Sequence, residues 1–258
     1  MTGQTARFDW RGLVIPVGFI VSAELAARVT GWQSTMLAAP SDIVAAFWIA
    51  LVDGTVLHAT MATLATSLAG LCIGAAFGLL IGVLLGLSLT ANRLMEFSIE
   101  TLRPIPAVAL IPIALLVFGF GFRMEISIVA FAAFWPILIL SRAAVAGVEP
   151  RLIQVARALG FGYLARIWKI VLPAALPRIF VAFRLAAGIA LIVAVTVEIA
   201  GNPIGLGYNM ILAQQTLRPE LMLALLVWLG IVGWAFNQLL LWSQKYLFGP
   251  AAMIRIER

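Results

Sequence analysis

Residues 154–177 read QVARALGFGYLARIWKIVLPAALP, and the rest of the chain is best understood outward from there. Around this stretch stand Arg142, Glu149, Arg151, Arg157, Arg166, Lys169 and Arg178, while the runs on either side are almost wholly Ala, Val, Ile, Leu, Phe and Gly. A segment with so many charges cannot sit in hydrocarbon, where each costs about 2.5–3.5 kcal/mol at the centre of a span. It is a water-exposed loop between membrane helices.

The composition agrees. A chain of 258 residues that is 63% hydrophobic lies outside the soluble range. Six spans of about 20 residues would take up roughly half of it, leaving room for one helix bundle and no separate catalytic domain. The expectation is an all-α polytopic membrane bundle forming a single domain, 1–258. Hydropathy places the spans at about 12–30, 61–89, 104–120, 125–147, 178–200 and 220–243. Arg7 and Arg11 before Leu13–Ile20 imitate a signal peptide. Glu24 and Arg28, in place of a clean small-x-small site, argue that the segment is retained.

The net charge of +6 matters less than where the charges fall. One side collects Arg7, Arg11, Arg93, Arg103, Arg142, Arg151, Arg157, Arg166, Lys169, Arg178, Lys245, Arg255 and Arg258; the other has Arg28, Arg123 and Arg218. The positive-inside rule puts both termini and the loop in the cytoplasm. Nucleic acid is not an expected partner. Trp10, Trp32 and Trp242 fall near span ends as interfacial anchors. Cys72 and His58, one of each, exclude an internal disulfide, a thiolate cluster and a histidine-based metal site. No G-x-x-x-x-G-K-[ST] occurs, so ATP chemistry belongs to another chain.

Between the spans, residues 39–54 (APSDIVAAFWIALVDG) predict an amphipathic surface helix with Ser41 or Asp42 as N-cap and Gly54 as stop. Gly201, Asn202, Pro203, Gly205 and Gly207 predict a turn followed by a short surface helix. Gly70, Gly74, Gly78, Gly82 and Gly86 form a small-xxx-small ladder for close helix contact. Each step advances about 400°, so one crossing is expected to use two or three of the glycines, within the subunit or between subunits. Pro104, Pro106 and Pro112 remove backbone donors that lipid cannot replace, marking either a pathway wall or a structural bend. Arg184 and Glu198, about 1400° and 21 Å apart on one helix, share a face but cannot pair. Gly188, Leu191 and Val195 lie between them, a wall suited either to a pathway or to interhelix pairing.

Taken together, these segments resemble the permeases of ATP-binding-cassette importers. The spacing Ala156-x3-Gly160-x9-Ile170-x-Leu172-Pro173 is similar to their EAA loop. LRPIPAVALIPIALLVFGFG and the E-x-x-G-x-x-x-G-L-G-Y end of the fifth span resemble the nitrate/sulfonate/taurine group, over about residues 38–250. The resemblance implies a type I (MetI-like) permease fold that dimerises, as a homodimer, and works with two ATPase subunits and an external solute-binding protein. No cofactor is expected in this chain, ATP and Mg being held by the ATPase. It also implies a coupling loop over about 148–177. There Ala156 and Gly160 form a docking helix and its turn, and Ile170, Leu172 and Pro173 the exit into span five. Gln154 and Val155 replace the usual Glu and Ala, which removes a carboxylate but leaves hydrogen-bonding capacity at Gln154. The implied cargo is a small anion, such as a sulfonate, taurine, nitrate or an organic acid, with Arg184 as a feature that suits it. An ion-gradient-driven secondary transporter is the alternative; it would need an ion relay and an inverted repeat of broken helices. A membrane-embedded enzyme would need a catalytic cluster that these residues do not supply.

Overall fold

A computed structural model describes residues 11–30 and 37–248, and every regular element among them is helical. Trp10, Trp32, Arg7, Arg255 and Arg258 lie outside the described residues. The chain divides into two compact units, one comprising Met1–Leu57 with Asn209–Trp228 and the other His58–Tyr208 with Leu229–Arg258.

In the first unit, α1 (Arg11–Thr30) covers the residues of the first expected span, though it is not among the helices apolar enough to cross a membrane. Its Glu24 and Arg28, one turn apart, form an ion pair at 2.6 Å. Glu24 also accepts from the N–H and hydroxyl of Ser41 at 3.0 and 2.9 Å, which ties α1 to the start of α2 (Pro40–Val52). The cap of α2 differs from expectation. Ala39 is the N-cap, with Pro40 in the first turn and no side-chain cap, because Ser41 is already committed to Glu24. Nor is α2 amphipathic: Val44, Trp48 and Ile49 are exposed while Ala46 and Ala50 are buried, so it is apolar on both faces. It ends as predicted, at Gly54 with φ +84°.

In the second unit the core is built on α6 (Phe122–Ala146). On one side lies α3 (Thr55–Leu87), on the other α9 (Leu172–Ala200). All five glycines of the α3 ladder face α6: a Cβ added at Gly78 would come within 2.7 Å of the Phe134 carbonyl, and one at Gly86 within 2.8 Å of the Arg142 carbonyl. Partners advance from Val129 to Val145 as the glycines advance from Gly70 to Gly86, so the two helices run parallel and stay in contact throughout. The expectation of two or three usable glycines is corrected. Because the partner helix also advances in four-residue steps, the two wrap around each other and the drift cancels. The ladder, including Gly74, Gly78 and Gly82, is thus a contact within one chain.

Against the other face of α6, α9 runs antiparallel. Val197 packs near Met124 and Ile128, Ala186, Ala187, Ala190 and Ala194 near Ala133 and Ile137, and Ala175 and Ile179 near Ala144 and Val145. Glycine on one neighbour and alanine on the other let three backbones approach closely, the packing that replaces a hydrophobic driving force in lipid.

The third expected span, 104–120, is one limb of a bent pair. The chain leaves α4 (Leu89–Leu102), turns through a 3₁₀ segment Ala107–Leu110 begun at Pro106, and continues as α5 (Ile111–Phe118), with a bend of 79° between the two limbs. The proline cluster explains the break, since each proline lacks the N–H needed to continue a helix. Among the described residues four helices are long and apolar enough to cross a membrane, or five if this bent pair forms one span, against the six spans expected. The described chain ends with α10 (Gly205–Gln215) and α11 (Pro219–Phe248). Near its end Trp242 stacks on Tyr246 at 6.0 Å, exposed as an anchor should be.

Candidate functional site

The charged loop forms α7 (Pro150–Ala158), a glycine turn, one turn of helix α8 (Tyr163–Arg166), a π-helical turn (Ile167–Val171) and then α9. Leu159 caps α7, the Phe161 N–H donates to the Ala156 carbonyl and the Gly160 N–H to the Arg157 carbonyl, both at 3.0 Å. This is a Schellman closure, and it requires the left-handed φ of +74° found at Gly160. Ala156 has no exposed surface, because that face of α7 packs on the π-helical turn. Ile170 sits in that turn, and Leu172 and Pro173 open α9. Pro173 accounts for the wide turn: it cannot donate to the Lys169 carbonyl and its ring would press on it, so the backbone opens before the helix resumes. Gln154 is exposed, beside the exposed apolar side chains of Leu152, Val155, Leu159, Leu164 and Trp168.

The candidate pathway residues are not brought together. Arg184 donates from Nε to Asn237 Oδ1 on α11 at 3.1 Å. Glu198 is 1% exposed, deep in the contact of α9 with α3 and α6, so both residues bond to other helices, the interhelix alternative of the two expected. Pro106 and Pro112 are exposed at the α4–α5 break. Their neighbours Arg103, Ile105 and Ala107 border a cavity of about 470 Å³, completed by Phe131 and Trp135 of α6 and by Leu185, Ile189 and Val193 of α9.

Around Glu198 is a buried polar network that sequence reasoning missed. The Thr63 hydroxyl donates to Glu198 Oε1 at 2.7 Å, and the Gly207 N–H donates to Oε2 at 2.7 Å. Thr66 meets Glu125 Oε1, and Asn202 Nδ2 donates to Glu125 Oε2 at 2.6 Å. Asn202 Oδ1 accepts the Gly121 N–H at 2.8 Å, and the Leu206 N–H donates to Thr63 Oγ1 at 2.9 Å. Glu125, in the first turn of α6, is fully buried. The overlooked signal was Thr63, Thr66 and Ser67, a polar stripe at helical spacing on an otherwise apolar helix.

Residues 74–248 match the family described as "Binding-protein-dependent transport system inner membrane component". The chain belongs to this family. The permease is 32% identical over 228 residues to a Bacillus subtilis (strain 168) protein carrying the name aliphatic sulfonates transport permease SsuC, covering 88% of this chain and 83% of that one. It is 28% identical to the taurine transport system permease TauC of Escherichia coli (strain K12), covering 70% and 66%. To the bicarbonate transport system permease CmpB of Synechococcus elongatus it is 31% identical, covering 73% and 68%. Among solved structures, an amino acid ABC transporter superposes with a TM-score of 0.64 at 21% identity, covering 77% of the permease and 98% of that chain. The inward-facing MetNI methionine ABC transporter gives 0.59 at 21% identity, covering 72% and 94%. The fold is that of type I ABC importer permeases.

Proposed function

We propose that this permease forms the translocation pathway of an ATP-driven importer for a small anionic solute and couples to a separate ATPase through residues 148–177. The observation that carries the reading is the loop. It is too charged to enter lipid, closed on itself by the Gly160 turn, and yet exposes Leu152, Val155, Leu159, Leu164 and Trp168. Exposed apolar side chains gathered on a polar segment mark a place where another protein docks. On this reading ATP and Mg are bound by two ATPase subunits, an external solute-binding protein delivers the cargo, and a second copy of the permease completes the pathway. The chain acts as one transmembrane domain in the inner membrane of a bacterium, with both termini and the loop cytoplasmic.

An anion is favoured because sulfonate, taurine and bicarbonate, named for three relatives, all carry a negative group. The cavity between the α4–α5 break and helices α6 and α9 supports this, with Arg103 on its border. Pro106 and Pro112 shape that break, and Arg184 adds positive charge on α9.

Proteoliposomes holding the permease with its ATPase and binding protein should take up a labelled sulfonate, taurine or bicarbonate only with ATP present. Uptake driven by an ion gradient in the permease alone would overturn the reading in favour of a secondary transporter. Val155→Asp should release the ATPase during purification while the permease stays folded, because Val155 is 57% exposed.

A further inference from the structure

The charges of the loop 148–177 are unevenly committed. Glu149 is its one acid, and no ion pair among the described residues includes it. Of the four cations, two are engaged within the loop itself: Arg166 lies 5.8 Å from the centre of the Tyr163 ring and Lys169 5.5 Å from that of Phe161. Arg151 and Arg157 are exposed, and among the described residues no carboxylate, side-chain hydrogen bond or ring holds either one.

Their places on α7 give this meaning. The Ala156 side of the helix packs on the π-helical turn, and at about 100° per residue Gln154 lies about 160° around α7 from it. Leu152, Val155 and Leu159, at i, i+3 and i+7, form an exposed apolar stripe on the free surface. Arg151, Gln154 and Arg157 follow one another in steps of three along the rest of that surface, and residues three apart are neighbours on a helix. Gln154 therefore stands between the two arginines. An acid at this position would pair with both, one turn back and one turn on; a neutral amide leaves both charges unquenched beside the apolar stripe. A surface that covers the stripe removes water from the arginines at its edge, and a guanidinium so covered needs a carboxylate to replace that water.

We propose that the ATPase surface receiving α7 is an apolar groove with an acidic rim, its carboxylates pairing with Arg151 and Arg157 through the two-pronged contact a guanidinium favours. The proposal rests on the reading of residues 148–177 as the ATPase-docking loop and names the chemistry of that partner. Gln154 becomes a specificity residue. By staying neutral it keeps both arginines for the partner's acids, and an ATPase whose groove is rimmed by cations is turned away by like charge.

The test measures binding of the ATPase to the purified permease in detergent without added lipid, for wild type, Gln154→Glu, Arg151→Glu, Arg157→Glu and Val155→Asp, each with its melting point recorded to exclude misfolding. Wild-type affinity should fall as salt is raised, because exposed ion pairs are screened. Gln154→Glu should bind several-fold more weakly and with a shallower salt dependence, and each arginine reversal at least about tenfold more weakly. Arg157→Lys combined with Lys169→Arg leaves a single amine in the loop, which a carbodiimide should join to an Asp or Glu of the ATPase. Tighter binding by Gln154→Glu, or salt-insensitive wild-type binding with no such crosslink, overturns the acidic rim; release of the ATPase by Val155→Asp in the same series leaves the docking reading standing. Should neither Val155→Asp nor any charge variant alter binding, the docking reading fails and the proposal with it. If the reversals keep wild-type ATPase affinity but lose a preference of the permease for phosphatidylglycerol over phosphatidylcholine, the arginines serve lipid headgroups, which also overturns the proposal.

Discussion

Two glycine turns of this permease are built in opposite ways. At Gly160 a Cβ would meet nothing within 4 Å, and the turn is surrounded by exposed apolar side chains. At Gly205 a Cβ would strike the Glu198 carboxyl, and the turn is sealed by hydrogen bonds from α3 and α6. Both need a left-handed backbone, with φ of +74° and +96°. One turn is bordered by apolar side chains left exposed; the other is closed within the chain. Damage at the sealed turn should reach the fold of the protomer, and damage at the open turn only its partnership.

The largest effect is expected at the sealed turn. Gly205→Ala combines a disfavoured backbone with overlap onto a buried carboxylate, together about 2–6 kcal/mol. Little folded permease should be recovered, as size-exclusion profiles in detergent will show. A monodisperse variant with the wild-type melting point would mean that Glu198 can move away and that the turn is not sealed.

Next comes the ladder, which tests whether close backbone contact is general to this core. Gly78→Ala places a methyl 2.7 Å from the Phe134 carbonyl, on a helix locked between α3 and α9. Overpacking of this kind costs about 1–3 kcal/mol, read as a lowered thermal midpoint with the fold intact.

How much of this was legible follows the same division. The Gly160 turn was readable because a Schellman closure is local: the glycine, the helix before it and the donors all lie within a few residues. The glycine ladder was visible, but its extent depended on the four-residue steps of α6, which no single helix displays. The alanines of α9 drew no notice because alanine is ordinary in any helix. The buried polar network was the least legible. Glu125, Glu198, Thr63 and Asn202 come from four separate segments, and only the fold makes them neighbours. The prolines of the third span marked a bend, but the helix on its far side, α4, was not legible because its charged residues broke the apolar run.

At the open turn, Gly160→Val meets no steric obstacle, yet a branched residue at that φ costs at least about 1 kcal/mol. The segment after the turn should shift while the membrane core stays as it is. Uptake is expected to fall more than about tenfold, since 1.4 kcal/mol of lost docking gives that factor, and the ATPase should dissociate more readily, with the melting point of the permease alone unchanged. If Gly160→Val lowers that melting point as much as Gly78→Ala does, the contrast between the turns is gone.

The smallest effect is expected at Gly188, which marks where the sealed interior of α9 gives way to its outer face. Val181, Leu185, Gly188, Ile192 and Ile199 recur at helical spacing and are exposed, and a Cβ at Gly188 would meet nothing within 4 Å. Unlike Gly160, Gly188 has no positive φ, so alanine fits its backbone. Removing a glycine from a helix interior gains about 0.5–1 kcal/mol. Gly188→Ala should therefore raise the thermal midpoint by roughly 1–4 °C, at about 2–4 °C per kcal/mol for a chain of this size, and leave uptake as it was. A lowered midpoint, or a shift of the purified complex toward single permease copies, would show instead that another helix backbone lies against this stripe. The exposed face of α9 would then belong with the open turn, as a surface finished by a partner.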